Sequence, residues 1–176
     1  MKKVILLAFV AVLFTACQEQ NYSRTGPEVD LVKGLFDDYH AGDWESWMSK
    51  YADTAKIHHN LPDGKGISPA AQRDLFKESL APLSSYKFDD DIWFEQVVTD
   101  EGETWVNVWG EWHGVIAANN KEMIIPVHLT AQVVDGKIVK EFTYYNTVEM
   151  NAEMEALAAA AAAAEEAANG DGDSEN

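Results

Sequence analysis

The sequence predicts an α+β fold in which three N-terminal helices pack on a curved, mainly antiparallel sheet. Three observations carry that expectation. Apolar residues recur at helical spacing in three stretches between Glu28 and Leu80, four long runs rich in β-branched and aromatic residues fill Tyr86 to Val148, and only short turn signals separate those runs. With 176 residues, 47% hydrophobic and 11% aromatic, the chain can build one sizeable core.

The first helix, Glu28 to His40, carries Val29, Val32, Phe36 and Tyr39 at spacings of three and four, with Leu35 beside them and Glu28 and Asp30 at its electropositive start. Gly42 suits a left-handed C-terminal cap, and Asp43 can accept an amide of the next turn, so a second helix follows at once, from Asp43 to about Tyr51. A short β-prone run, Ala55 to His59, comes next. Leu61 to Gly66 reads as a loop. Ser68 then caps and Pro69 opens a third helix, with Ala71, Leu75, Phe76 and Leu80 on its apolar face and Pro82 as its stop.

Strands are expected at Tyr86 to Thr99, Glu103 to Ala117, Glu122 to Val134 and Lys137 to Val148, joined at Asp100-Glu101-Gly102, Ala118-Asn119-Asn120 and Asp135-Gly136. Short connections make them an antiparallel meander. Strands this long twist and curl, and the three helices fill the concave side to give a cone. From Glu149 to Ala168 the composition favours helix, with seven consecutive alanines and few apolar anchors beyond Met150, Met154 and Leu157, and Asn169 to Asn176 reads as disordered. No core face is expected in this C-terminal stretch.

Gly42, Asp43, Trp44, Tyr51, Ala52, Asp53 and Ala55, with Asp135-Gly136-Lys137-Ile138-Val139 and Phe142-Thr143-Tyr144-Tyr145-Asn146, give residues 28–150 a resemblance to the nuclear transport factor 2 superfamily, in its SnoaL-like and ketosteroid-isomerase-like branches. The resemblance implies the cone fold, a sheet face covered by a second subunit, and His59 where isomerases of this kind keep a carboxylate base. It also implies that their oxyanion-stabilising tyrosine is replaced by Leu35 and their second acid by a residue near Thr130. The acid that cyclase-like relatives carry after their paired tyrosines is Asn146 here. Steroid isomerisation is therefore not expected.

A formal charge of -17 excludes nucleic acid and electrostatic attachment to anionic lipid, both of which need a basic surface. Met1-Lys2-Lys3, the apolar run Val4 to Phe14, and Phe14-Thr15-Ala16-Cys17 read as a lipoprotein signal peptide (1–16) resembling a bacterial lipobox. The lone cysteine, Cys17, would then carry palmitate-type acyl chains that anchor the chain to a membrane on the periplasmic or cell-surface side of the envelope. Residues 17–27 would be a flexible tether, 28–150 the domain and 151–176 the tail.

The alternation along Trp105 to Gly114 puts Trp105, Asn107, Trp109, Glu111 and His113 on one face and Val106, Val108, Gly110, Trp112 and Gly114 on the other, each with tryptophan. Two apolar faces favour a homodimer. Adjacent His58 and His59 point to opposite sides of their strand, so one at most enters a pocket. The expected pocket is Trp44, Trp47, His59, Trp93, Trp109, His113, His128, Tyr144 and Asn146, holding a small apolar or aromatic molecule. His59 is the candidate catalytic base, with His113 or His128 and Tyr144 or Tyr145 as hydrogen-bond donors. No cofactor or metal is expected: the histidines lack helical metal spacing, and Asp89-Asp90-Asp91 reads as an extended run with alternating faces. Ligand binding without turnover is the leading expectation. Acid–base catalysis of the isomerase, cyclase or hydrolase type and a protein-interaction module are the alternatives.

Overall fold

The computed structural model describes residues 21–170. The expected signal peptide, Cys17 and residues after Gly170 lie outside them. Four helices and a seven-stranded sheet make up the described residues: β1 (Tyr22–Ser23), α1 (Pro27–Ala41), α2 (Trp44–Ser49), β2 (Tyr51–His59), α3 (Pro69–Leu80), β3 (Leu83–Phe88), β4 (Trp93–Val98), β5 (Thr104–Ile116), β6 (Glu122–Val134), β7 (Lys137–Tyr145) and α4 (Val148–Gly170). The strand order is β1-β4-β5-β6-β7-β2, with β3 also paired to β5.

The corner between α1 and α2 forms as its residues dictate. Gly42 adopts φ 67°, and the Asp43 amide reaches back to the Asp38 carbonyl at 2.9 Å while the Asp43 carboxylate accepts from the Ser46 amide. This reversal lets α1 bury Val29, Val32, Leu35, Phe36 and Tyr39 and α2 bury Trp47 against one core. The α3 cap also forms, Ser68 accepting from the Ala71 amide at 3.2 Å. Its inward face differs from expectation: Ala71 and Leu75 are exposed, while Pro69, Gln72 and Leu80 are buried and Phe76 packs beside them. The helix is rotated so that the Phe76 ring reaches Tyr39, Trp47 and His59.

Three corrections apply to the sheet. The expected strand Tyr86 to Thr99 is two strands, β3 and β4, which pair antiparallel with the two halves of β5 and are interrupted at Asp89–Ile92. Three adjacent like charges disfavour a continuous ladder there, and Asp90 and Asp91 form a turn. The β2 strand begins at Tyr51 and runs parallel to β7, closing the far edge of the curl. Tyr22–Ser23, within the segment read as a tether, pairs with β4 instead.

Burial decides the face ambiguity along β5. Val106, Val108 and Trp112 are buried beneath the helices, and the alternate set, Trp105 to His113, lies on the outer face. The C-terminal helix also departs from expectation, because Met150, Met154 and Leu157, at spacings of four and three, pack on the core. It starts at Val148, β7 having ended at Tyr145.

Candidate functional site

Between the helices and the concave sheet lies a cavity of about 190 Å³, walled largely by carbon. Helix α1 contributes Leu35, Phe36 and Tyr39, α2 Trp47, and α3 Phe76 and Leu80; the sheet contributes Trp112, Ile125, Val127 and Leu129. A void of 150 Å³ holds one benzene-sized molecule, so this one suits a single ring or its equivalent.

One charge is buried in this apolar wall. Glu141 is 1% exposed, yet its carboxylate accepts three hydrogen bonds, from the Tyr51 hydroxyl at 2.5 Å, the Thr143 hydroxyl at 2.8 Å and His59 Nε2 at 2.9 Å. Burial pushes this carboxyl up, but the donors from His59, Tyr51 and Thr143 together outweigh it and hold the group below the ordinary carboxylate value. Tyr51 responds the opposite way: its own burial and the Glu141 charge raise it well above the usual phenol range, so it stays protonated and keeps donating.

A local defect aims Glu141 inward. Val133 pairs with Ile138 but Gln132 with Lys140, so one extra residue is accommodated in β7 at Val139. This bulge shifts the alternation, and Glu141, Thr143 and Tyr145 all reach the cavity wall. The neighbouring register, His59 opposite Thr143, brings the imidazole over the carboxylate.

The His59–Glu141 bond fixes the imidazole. An ionised carboxylate only accepts, so His59 Nε2 carries the proton and, in the neutral ring, the lone pair sits on Nδ1. Nδ1 lies 3.5 Å from the Tyr145 hydroxyl, in the cavity wall. Burial and the Glu141 charge push Tyr145 up, keeping it a hydroxyl. His58 faces away, 1% exposed, bonded through Nδ1 to the Glu141 carbonyl and stacked on Phe142.

A second polar point stands across the Phe76 ring, which touches both Tyr39 and His59 at centroid distances of 5.2 and 5.4 Å. Trp112 Nε1–H donates to the Tyr39 hydroxyl at 3.0 Å. Among the described residues no protein acceptor takes the Tyr39 proton, which leaves it for an atom inside the cavity. Burial pushes Tyr39 well above the ordinary phenol value, partly offset by the Trp112 bond, so the group is a donor at any working pH.

Of the nine expected pocket residues, Trp47 and His59 line this cavity. Trp44 lies one layer behind, stacked on Phe76 and edge-on to Tyr39. Trp93, Trp109, His128 and Tyr144 form a row across the outer face: Trp93 pairs with Trp109, Trp109 with His128 and His128 with Tyr144 in register, and the Arg24 guanidinium covers Trp93 at 3.4 Å. His113 is on that face too, between Asp89 at 2.8 Å and Glu122 at 3.2 Å. They are outside because β4, β5, β6 and β7 turn the alternate residues inward, Phe94 rather than Trp93 on β4. Asn146 is exposed and accepts from the Val148 amide at the start of α4. Sequence reasoning missed Tyr39, Tyr51, Trp112, Glu141 and Thr143 as site residues. The buried partners of Trp112, Val106 and Val108, form the more aliphatic of the two β5 faces, and that imbalance is the signal that marks the inner side.

The sequence profile of a family described as SnoaL-like domain matches residues 32–141. Among solved structures, the chain is similar to a proposed polyketide cyclase from Xanthomonas campestris pv. campestris, at 21% identity over 73% of this chain and 96% of that one, with TM-score 0.57. It is similar to IdmH, a proposed polyketide cyclase from Streptomyces antibioticus, at 19% identity over 73% and 98%, TM-score 0.57. PrhC from Penicillium brasilianum aligns at 16% identity over 80% and 94%, TM-score 0.62. At these identities the likeness speaks to fold. No curated protein matches. With the profile covering more than half of the sequence and the cone shared with these structures, the chain belongs to the SnoaL-like domain family.

Proposed function

We propose that this protein catalyses proton transfer on a small, mainly apolar molecule bearing a carbonyl or enol oxygen. The observation that carries the reading is the buried Glu141 carboxylate bonded to His59 inside an otherwise apolar cavity. An isolated buried charge is so unfavourable that it persists only when paired and hydrogen-bonded.

In the proposed reaction His59 Nδ1 takes a proton from a carbon next to the substrate carbonyl. The C–H electron pair moves into the new C=C bond, and the carbonyl π pair moves onto oxygen. Tyr39, itself accepting from Trp112, donates to that oxygen, and Glu141 stabilises the imidazolium. Return of the proton from Nδ1 to the same or another carbon regenerates the base. The apolar wall excludes water and strengthens both interactions.

The test is the exchange of α-protons of small cyclic ketones in deuterium oxide, followed by NMR. Wild type should accelerate exchange for at least one ring-sized ketone, and His59→Gln should lose about 10²- to 10⁴-fold. Equal rates for the two proteins would reject the role. Binding without turnover, the second reading, is favoured by the predominance of carbon in the wall and predicts ketone binding with no exchange above the buffer rate.

We also propose a lipid on Cys17 and a homodimer. The first is supported by the apolar run and small-residue site before Cys17, and incorporation of an alkyne-tagged fatty acid, lost in Cys17→Ser, tests it. The second is supported by the exposed row Trp93, Trp109 and Tyr144, each between 43% and 50% exposed.

A further inference from the structure

The cavity is partly open to solvent, and its lining includes the exposed Ser79 near the end of α3 and the half-buried Thr147 and Met150 around the start of α4. Thr147 and Met150 belong to the C-terminal segment, which lies beyond the residues that the family profile matches. We infer that α4 is a size-selecting cap: it restricts the cavity to one-ring ligands and is latched over the mouth by Lys121. This inference rests on the cavity being the ligand site.

Two sets of contacts hold α4. Met150, Met154 and Leu157 form an apolar stripe against the core. On the adjoining face Glu149 and Glu153, one helical turn apart, grip Lys121 at 3.4 and 2.8 Å, and the Asn119 amide donates to Glu153 at 2.7 Å. Asn119 and Lys121 come from the β5–β6 turn, so the latch ties the helix to the sheet edge.

The latch is weak by construction. Its ions are solvent-accessible, Glu149 72%, Lys121 37% and Glu153 22% exposed, and such pairs contribute little and are screened by salt. From residue 158 to residue 167 the helix is alanine-rich and exposed. An element held by three apolar side chains, two solvent-accessible ion pairs to one lysine and one amide hydrogen bond opens at lower cost than the sheet or α1. With α4 seated the cavity holds about 190 Å³; displacing the helix would remove the Met150 wall and widen the opening.

The experiment uses the full-length chain and two variants, Lys121→Met and a stop after Thr147. The probes are cyclohex-2-enone, one ring, titrated calorimetrically, and prodan, a neutral two-ring ketone with substituents, followed by its emission. The full chain should favour cyclohexenone over prodan; the stop after Thr147 should tighten prodan at least tenfold and Lys121→Met about twofold to fivefold, while cyclohexenone changes less than threefold in both. Circular dichroism melts identify a variant that has unfolded, and the other then decides. Cyclohexenone binding with an unchanged preference in a folded variant would overturn the cap alone. Absence of cyclohexenone binding in every form would overturn the cap and the functional reading together.

Discussion

His59 Nε2 lies 2.9 Å from the Glu141 carboxylate, and that carboxylate, buried on the inner face of β7, has Tyr51 and Thr143 as its other donors. The pair joins the stability of the cone to its chemistry, because the same three donors that permit a charge in the core also orient the imidazole.

Replacing Glu141 by alanine should therefore be among the most damaging changes in the chain. It leaves three buried donors without an acceptor, and breaking buried pairs of this kind costs about 3 to 5 kcal/mol. Glu141→Gln, which keeps an acceptor for His59, should cost about 1 to 3 kcal/mol. Urea titrations of the two variants give both values and their order.

Acid should unfold the protein through the same group. The Glu141 carboxyl is held below its ordinary value in the folded state, so its contribution is fully present above the unfolded carboxylate pKa of about 4.3 and is lost as pH falls through the lower folded value. Thermal melts between pH 6 and pH 3 should fall more steeply for wild type than for Glu141→Gln, which has no proton to take up there. Parallel slopes would show that the pair does not govern the acid limb.

Much of the scaffold was legible beforehand because its signals are local. Gly42-Asp43 and Ser68-Pro69 act within one helical turn, and Asp135 and Gly136, at φ 50° and 71°, form the tight hairpin turn their identities suggest. The alternation along β5 was equally legible, but which face is concave depends on where α1 and α2 dock, and that is a long-range fact. Glu141 was hidden for a sharper reason. Counting in twos from the inward-facing Ile138 puts Lys140 and Phe142 inside, and the bulge at Val139 reverses this without leaving a sequence mark. Trp93, Trp109 and His128 lie on the outer face, and aromatic content alone does not show this, because a sheet with two apolar faces spends aromatics on both.

The Trp112–Tyr39 bond predicts a separable effect on recognition. Tyr39→Phe keeps the ring packing but removes the hydroxyl, so affinity for cyclohex-2-enone should fall about tenfold while toluene, which has no oxygen, binds as before. Calorimetric titration of both ligands measures the split; an equal loss for the two would mean the hydroxyl only shapes the wall.

Gly114 should not accept a side chain. A Cβ there would sit 2.2 to 3.0 Å from the Trp112 ring, and that ring is held at Nε1 by Tyr39. Gly114→Ala must displace the indole, with a cost of about 1 to 3 kcal/mol and a shift in tryptophan emission. Unaltered emission and stability would show that the indole can relocate freely.

The outer aromatic row predicts assembly. Trp109→Glu adds a charge at its centre, on a residue 43% exposed, so the folded monomer should keep its melting temperature while the proposed dimer dissociates. Sedimentation velocity of wild type and variant distinguishes the species, and a wild type that is monomeric at high concentration would remove the proposal.

The tautomer of the His59 ring decides whether a base stands in the cavity. Long-range ¹H–¹⁵N NMR of the protein labelled at histidine nitrogen, at a pH where the imidazole is neutral, distinguishes the tautomers without any substrate. The proton should sit on Nε2 and the lone pair on Nδ1, facing the Tyr145 hydroxyl, with the signals altered in Glu141→Gln. A proton on Nδ1 would contradict the proposed role of His59, since the lone pair would then face Glu141 and no base would stand in the cavity.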